Sequence, residues 1–455
     1  MSLEQALSYA AAHHQQFLDE LIQFVKIPSI STDPEHKEAM QQAAQFVTSQ
    51  LKKLGFENVQ LFQTALHPVV YGERMDGGRD APTLLIYGHY DVQPTDPDEL
   101  WHSQPFSPEI RAGYLYGRGA SDMKGQVIAS LKALEAVLSQ GNLPVNIKYL
   151  VEGEEEIGSP NLAGFMQSHT DLLKCDVAIN PDSGMINPQT PTIVYGLRGL
   201  AYFEIKIYGP DHDLHSGVFG GAIHNPAQAL CEIIAGMHDA QNRVTLPGFY
   251  DHVQQMDDEE RRQLARLPLD DQYYLDQTGS PATWGEDGFS SSERIGARPT
   301  LEVHGLYSGF TGQGSKTVIP AWAMAKISTR LVPHQDPDEI KKSMMAYMEQ
   351  NAPPTIRWEV IPMQGGFPSL SDIHLPATVA LAKALETVWG VPPLYKREGG
   401  SVPVVADMQK YLGVDSVITG FGLPDDNIHS PNERLNLQTW ERGIQSLVHF
   451  FFNLS

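Results

Sequence analysis

The chain has 455 residues, which at about 150 residues per domain suits two or three domains and excludes a single small binding module. With 41% hydrophobic and 19% charged residues there is enough apolar material for a sizeable core, so global disorder is excluded as well. Acidic side chains outnumber basic ones by 55 to 32, and the resulting net charge of −23 repels phosphate backbones and anionic membranes, which speaks against nucleic acid or a membrane surface as partner. Cys175 and Cys231 are too few for a disulfide scaffold and lack zinc-knuckle spacing, so a reducing, cytoplasmic setting is expected. No apolar run approaches about 18 residues, and no membrane span is expected.

Helical periodicity covers residues 3–26 and 35–54, the first unlike a signal peptide because no basic residue precedes Lys26. The second is introduced by Ser31, Thr32, Asp33 and Pro34, a helix-start signal. Apolar strand-like runs then alternate with helices: 83–92, a helix over 124–140, a strand over 145–153, a short helix near 160–168 and a strand over 176–180. That alternation predicts an α/β domain with a mixed, largely parallel sheet. A second unit begins near Gly196 and reads as strand 201–209, helix 225–238, strands 301–305 and 325–332, helix 337–350 and strand 355–362, an α+β sandwich with its helices on one face. Residues 251–295 form an acidic, polar insertion with short helices of its own. Helices at 375–389, 404–412 and 437–451, with a strand in DSVITGF, return the chain to α/β character. The expected plan is one catalytic domain from residues 1–196 and 373–455, interrupted by an inserted domain over 197–372.

Polar clusters sit at or just past the apolar strands, where α/β sheets gather ligands. His89 and Asp91 are two apart at a strand end, so both side chains leave on the same side, and Asp91 is placed to take the second ring N–H of a metal-binding imidazole. Asp122 lies in a Gly-rich turn directly before a helix, a position that suits either an N-cap or a ligand. In EGEEEIGS the adjacent glutamates diverge, so one can ligate a cation while its neighbour serves as general base. Asp182 in INPDSG and His429 in IHSPNERL complete a set of nitrogen and oxygen donors without thiolate, which suits zinc, manganese or cobalt, with a carboxylate bridging a pair.

Together, LLIYGHYDVQP, LYGRGASDMKG, EGEEEIGS, NPDSG, DLHSGVFGG, SKTVIPAWAMAKISTRLVP, REGGSVP and IHSPNERL resemble the co-catalytic metallopeptidase family that includes cytosolic non-specific dipeptidase, carnosinase, aminoacylase, desuccinylases and glutamate carboxypeptidases, most of all its cytosolic dipeptidase branch. The resemblance implies that His89, Asp122 and Asp182 hold one metal and Asp122, Glu156 and His429 the other, with Asp122 bridging. It also implies that Asp91 orients His89, that Glu155 is the general base acting on a water between two ions, and that Glu154 is an extra acid. A cis peptide between Asp122 and Met123 is implied too. The inserted domain would be a lid and dimerisation domain, making the chain a homodimer, and its His215, in related dipeptidases from across the dimer, would stabilise the oxyanion. Arg330 would pair with the substrate carboxylate, Thr317, Gly400 and Ser401 would help to seat it, and Glu398 would bind the substrate ammonium. Aspartate at position 182 goes, within the family, with dipeptidase and aminopeptidase activity, so dipeptides or short peptides are the expected substrates. N-acyl-amino-acid hydrolysis is the alternative, and a non-catalytic peptide receptor a more distant one.

Overall fold

The computed structural model describes residues 2–400 and 402–454. By contacts the chain divides into two compact units. One comprises the chain up to Tyr195, Ser371–Lys396 and the chain from Pro403 onward; the other comprises Gly196–Leu370 and the segment from Arg397 to Val402.

In the first unit, Thr83–His89 and Asn146–Glu152 are apolar runs without alternation, and both are buried along nearly their whole length, as central parallel strands must be. They pair in parallel with His89 opposite Glu152, so the two strands end level. Val177–Asn180 runs parallel beside Thr83–His89, and Ser416–Ile418 parallel beside that. Antiparallel strands flank this parallel centre: Val69–Arg74 then Glu57–Phe62 on one side, Thr192–Leu197 on the other. This is the mixed, mostly parallel α/β sheet that the alternation predicts. Its parallel strands all deliver their C-terminal ends to one edge, where the acidic motifs begin.

The helix Lys124–Leu138 is buried through almost its full length and packs against Leu437–Asn453, whose Trp440 is fully buried and donates Nε1–H to the Gly125 carbonyl at 2.8 Å. The first predicted helix is in fact two, Leu3–Ala12 and His14–Val25, broken at His13 where φ is −103° and ψ 7°. Both segments keep their apolar face toward the same core, which is why periodicity runs through the break unseen.

The second unit holds an antiparallel sheet in the order Thr300–Ser308, Trp322–Leu331, Gly199–Tyr208, Arg357–Gly366. Alternate residues of Gly199–Tyr208, namely Ala201, Phe203, Ile205 and Ile207, are buried in a core shared with the helices Pro226–Ala235 and Pro337–Asn351. The polar insertion carries three short helices, Asp258–Leu264, Asp271–Thr278 and Ser291–Gly296. A buried bidentate pair, Arg298 to Glu286 at 2.8 and 2.9 Å, holds it. The segment from Arg397 to Val402 belongs with this unit: Arg198 donates from its backbone N–H to Glu398 O at 3.3 Å and from Nε to Gly399 O at 3.2 Å.

Glycine at 153 sets how closely two strand ends of the first unit approach. A Cβ there would lie 2.3 Å from the ring of Tyr90, and that ring cannot yield because its hydroxyl donates to Pro68 O at 2.7 Å. Gly153→Ala should therefore separate the chain at Tyr90 from the chain at Gly153 and cost about 1–3 kcal/mol. A lower urea midpoint with an unchanged m-value is the expected reading.

Candidate metal centre and active site

His89 ends its strand fully buried. Its Nδ1 lies 3.1 Å from the Asp91 carbonyl oxygen and 3.4 Å from the Asp91 carboxylate, while Nε2 faces Asp122 Oδ1 at 3.2 Å and Asp182 Oδ2 at 3.8 Å. On the other side of Asp122, His429 Nε2 lies 3.0 Å from Asp122 Oδ2 and 3.2 Å from Glu156 Oε2. Two donor groups result, His89 with Asp122 and Asp182, and Asp122 with Glu156 and His429; within each group the donor atoms lie within 4.8 Å of one another. Asp122 belongs to both. It does not cap the following helix, whose N-cap residue is Met123, and the Asp122–Met123 peptide is cis. His429 takes a left-handed backbone conformation, φ 59°, unusual for a residue with a side chain and typical of functional loops.

Asp91 does more than face His89. Its two carboxylate oxygens accept the backbone N–H groups of Glu155 (3.3 Å) and Glu156 (3.0 Å), so one side chain holds both the imidazole and the turn 155–157. Glu154 points elsewhere: its oxygens accept from Thr64 Oγ1 at 2.6 Å, the His67 N–H at 2.8 Å and Asn161 Nδ2 at 2.8 Å. Gln93 was not singled out from sequence. Its Nε2 donates to Glu156 Oε2 at 2.8 Å, and its place two residues beyond Asp91 continues the same-side pattern that marked His89 and Asp91.

Electrostatics fits this donor set to cations. Burial, together with the negative charges of Asp182, Glu156 and Asp122 and against the pull of His89, pushes Glu155 up to about 9. Asp182 is likewise pushed up to about 7, by burial and then by Asp122 and Glu156, again against His89. His429 is raised to about 10 by its contacts with Asp122 and Glu156. Burial opposes the charge on His89, yet Asp122, Asp91 and Asp182 raise its pKa well above the ordinary histidine value. Carboxylates crowded at low dielectric, with imidazole nitrogens between them, are what divalent ions with nitrogen and oxygen ligands require.

The remaining expected residues lie in the second unit. His215 pairs opposite Val318 in a two-stranded ribbon, and Ser216 N–H donates to Thr317 O at 3.1 Å, so His215 and Thr317 are neighbours. His215 Nδ1 accepts the Gly217 N–H at 2.9 Å, which leaves the proton on Nε2 in the neutral ring. Arg330, on the strand Trp322–Leu331, lines a cavity of about 320 Å³ with Arg198, Glu302, His304 and Arg294. Burial and then the charge of Arg330 lower Arg198 to about 10. Glu398 is half-buried and Gly400 exposed, while Ser401 lies outside the described residues. Arg198 was not singled out from sequence either; the residues near Gly196 signalled only the start of the second unit.

The model of peptidase family M20/M25/M40 matches residues 85–453, and the chain belongs to that family. It is 32% identical over 461 residues to Cys-Gly metallodipeptidase DUG1 of Candida albicans, covering 96% of this chain and 94% of that protein. It is 29% identical to human Beta-Ala-His dipeptidase, covering 100% of this chain and 93% of the relative. An M20 family metallo-carboxypeptidase, Sso-CP2 from Sulfolobus solfataricus, superposes with a TM-score of 0.84 at 33% identity, over 96% of this chain and 99% of that one. The chain is thus a metallopeptidase, and its family implies metal ions without fixing which. No helix among the described residues is long and apolar enough to cross a membrane.

Because Glu154 is spent on loop contacts, Glu154→Gln should act on stability. One carboxylate oxygen becomes an amide that meets N–H donors, a loss of about 1–3 kcal/mol visible in thermal unfolding. Turnover per folded molecule should stay within a few-fold of wild type.

Proposed function

We propose that the chain hydrolyses dipeptides, with His89, Asp122 and Asp182 holding one divalent ion and Asp122, Glu156 and His429 the other, zinc, manganese or cobalt. The observation that carries this reading is the pair of donor groups sharing Asp122, with Glu155 half-buried beside them. When bound, such ions supply Lewis acidity for the scissile carbonyl and acidify a nucleophilic water. Glu155 accepts the proton of that water on a carboxylate oxygen and passes it to the leaving amine. Asp91 keeps the imidazole of His89 and the turn bearing Glu155 in register. His215 Nε2–H donates to the carbonyl oxygen as negative charge develops there. Arg330 receives the terminal carboxylate in the bidentate geometry that guanidinium favours, Thr317, Gly400 and Ser401 seat it, and Glu398 takes the ammonium.

A dipeptide substrate is supported by the dipeptidase names of the similar proteins and by aspartate, not glutamate, at position 182. The second unit is read as lid and dimerisation domain, in a homodimer. Its edge strand Thr300–Ser308 exposes Leu306 and Tyr307, and Phe310 and Trp322 lie exposed nearby, an apolar edge that pairing with a second copy would cover. The two cysteines, both free, accord with a cytoplasmic setting.

The test is Glu155→Gln assayed on a free dipeptide and on its N-acetylated form. Wild type should cleave the free dipeptide and spare the acetylated one; the reverse preference would establish the deacylase reading instead. The variant should keep its metal content and lose about a hundred- to ten-thousandfold in kcat. Near-normal turnover would remove Glu155 from the base role.

A further inference from the structure

The segment carrying His429 ends in a second acid that the mechanism above does not use. Glu433 is fully buried. Its Oε1 accepts the backbone N–H groups of Ser121 at 3.0 Å and Asp122 at 3.1 Å, and its Oε2 accepts the Gly119 N–H at 2.9 Å and Arg118 Nη1 at 2.7 Å. The Glu433 carbonyl accepts the Gly117 N–H at 3.0 Å, and the next residues pair as a short ladder, Arg434 opposite Tyr116 and Leu435 opposite Leu115. Gly119, at φ 84°, supplies the left-handed turn by which the loop wraps around the carboxylate. A second tie lies alongside, where Asp426 Oδ2 accepts from Ser121 Oγ at 2.8 Å and from the Leu423 N–H at 2.7 Å.

We propose that Glu433 is a positioning residue that fixes the bridging Asp122 against His429 before any cation binds. The inference rests on the metal reading above. One side chain, four residues from His429, grips the amides of Asp122 itself, Ser121 and Gly119 and the guanidinium of Arg118. Whatever moves that carboxylate moves a ligand shared by both donor groups. Packing alone does not account for an acid at this position. A further buried carboxylate beside Asp122 adds repulsion to a site already crowded with negative charge, and an apolar residue of equal volume would fill the space at lower cost. What an apolar residue cannot do is accept three converging N–H groups and orient Arg118, whose Nη2 also donates to Pro94 O at 3.0 Å. Partners behind metal ligands of this kind typically change metal affinity ten- to a hundredfold when removed.

Two measurements test the clamp. In the first, hydrogen exchange is followed on the metal-free wild-type chain. Peptides spanning 117–123 should be protected to the same degree as after manganese is added, since the loop is ordered by Glu433 and not by the ion. Free exchange that becomes slow only on adding manganese would overturn the proposal. In the second, Glu433→Gln keeps the shape but turns an NH2 toward N–H donors. Titration calorimetry with manganese, far below the unfolding temperature, should show about ten- to a hundredfold weaker binding, most at the group containing His429. Wild-type affinity in a folded variant of lowered stability would make Glu433 merely structural and overturn the positioning role. If the variant does not fold, the exchange measurement decides alone. Failure of wild type to bind manganese would count against the metal reading alone: slow exchange of 117–123 in the metal-free chain would still support the clamp, and free exchange there would still overturn it.

Discussion

Everything at the active edge of the first unit follows from the cost of gathering carboxylates in a buried place. Asp91, Asp122, Asp182, Glu155 and Glu156 converge on two imidazoles. Two like charges about 4 Å apart at an effective dielectric of about 20 repel by about 4 kcal/mol, against a net folding stability of about 5–15 kcal/mol for a whole domain. Such a cluster persists only if protons, N–H groups or cations offset the repulsion. The raised affinity of Asp182 and Glu155 for protons is the form that offset takes in the metal-free chain. Divalent ions held by the same groups would offset the same repulsion.

Within that constraint the acids divide into two kinds. Asp122, Asp182 and Glu156 turn toward imidazole nitrogen and toward each other. Glu154 and Glu433 instead meet backbone N–H groups, and Asp91 does so while also facing His89; each thereby fixes a loop: Asp91 the turn 155–157, Glu154 the chain at His67 and Asn161, Glu433 the run from Gly119 to Asp122. The parallel strands bring the loops to one edge, but strand ends alone leave loop conformation open. The amide-bound acids close that freedom, and they do so with the residue type that the ligands also use.

This division explains what could be read in the sequence. The buried parallel strands were legible because they are unbroken apolar runs, and the helices because their periodicity is strong. The edge strand Glu57–Phe62 was not, since its residues are largely exposed and carry no apolar alternation. The three-residue strands Glu109–Arg111, Tyr114–Tyr116 and Arg434–Asn436 are too short to show a period at all. Motif resemblance brought His89, Asp122, Asp182, Glu156 and His429 to the page, and in the structure these residues lie together. The grip of Asp91 on two amides and of Glu433 on three was invisible, because the partners are backbone groups and nothing in a residue's identity records which carboxylate its N–H will meet. The break at His13 and the transfer of residues 397–402 to the second unit were hidden for a related reason: both are set by tertiary contacts, with local pattern unchanged.

On the proposed function, Asp122 is shared by two cation sites. Anomalous diffraction from crystals of the full chain grown with manganese measures this directly. Two peaks per chain are predicted, one on either side of the Asp122 carboxylate, the first contacted also by His89 and Asp182 and the second by Glu156 and His429. A single peak, or two peaks with no common contact to Asp122, would contradict the account.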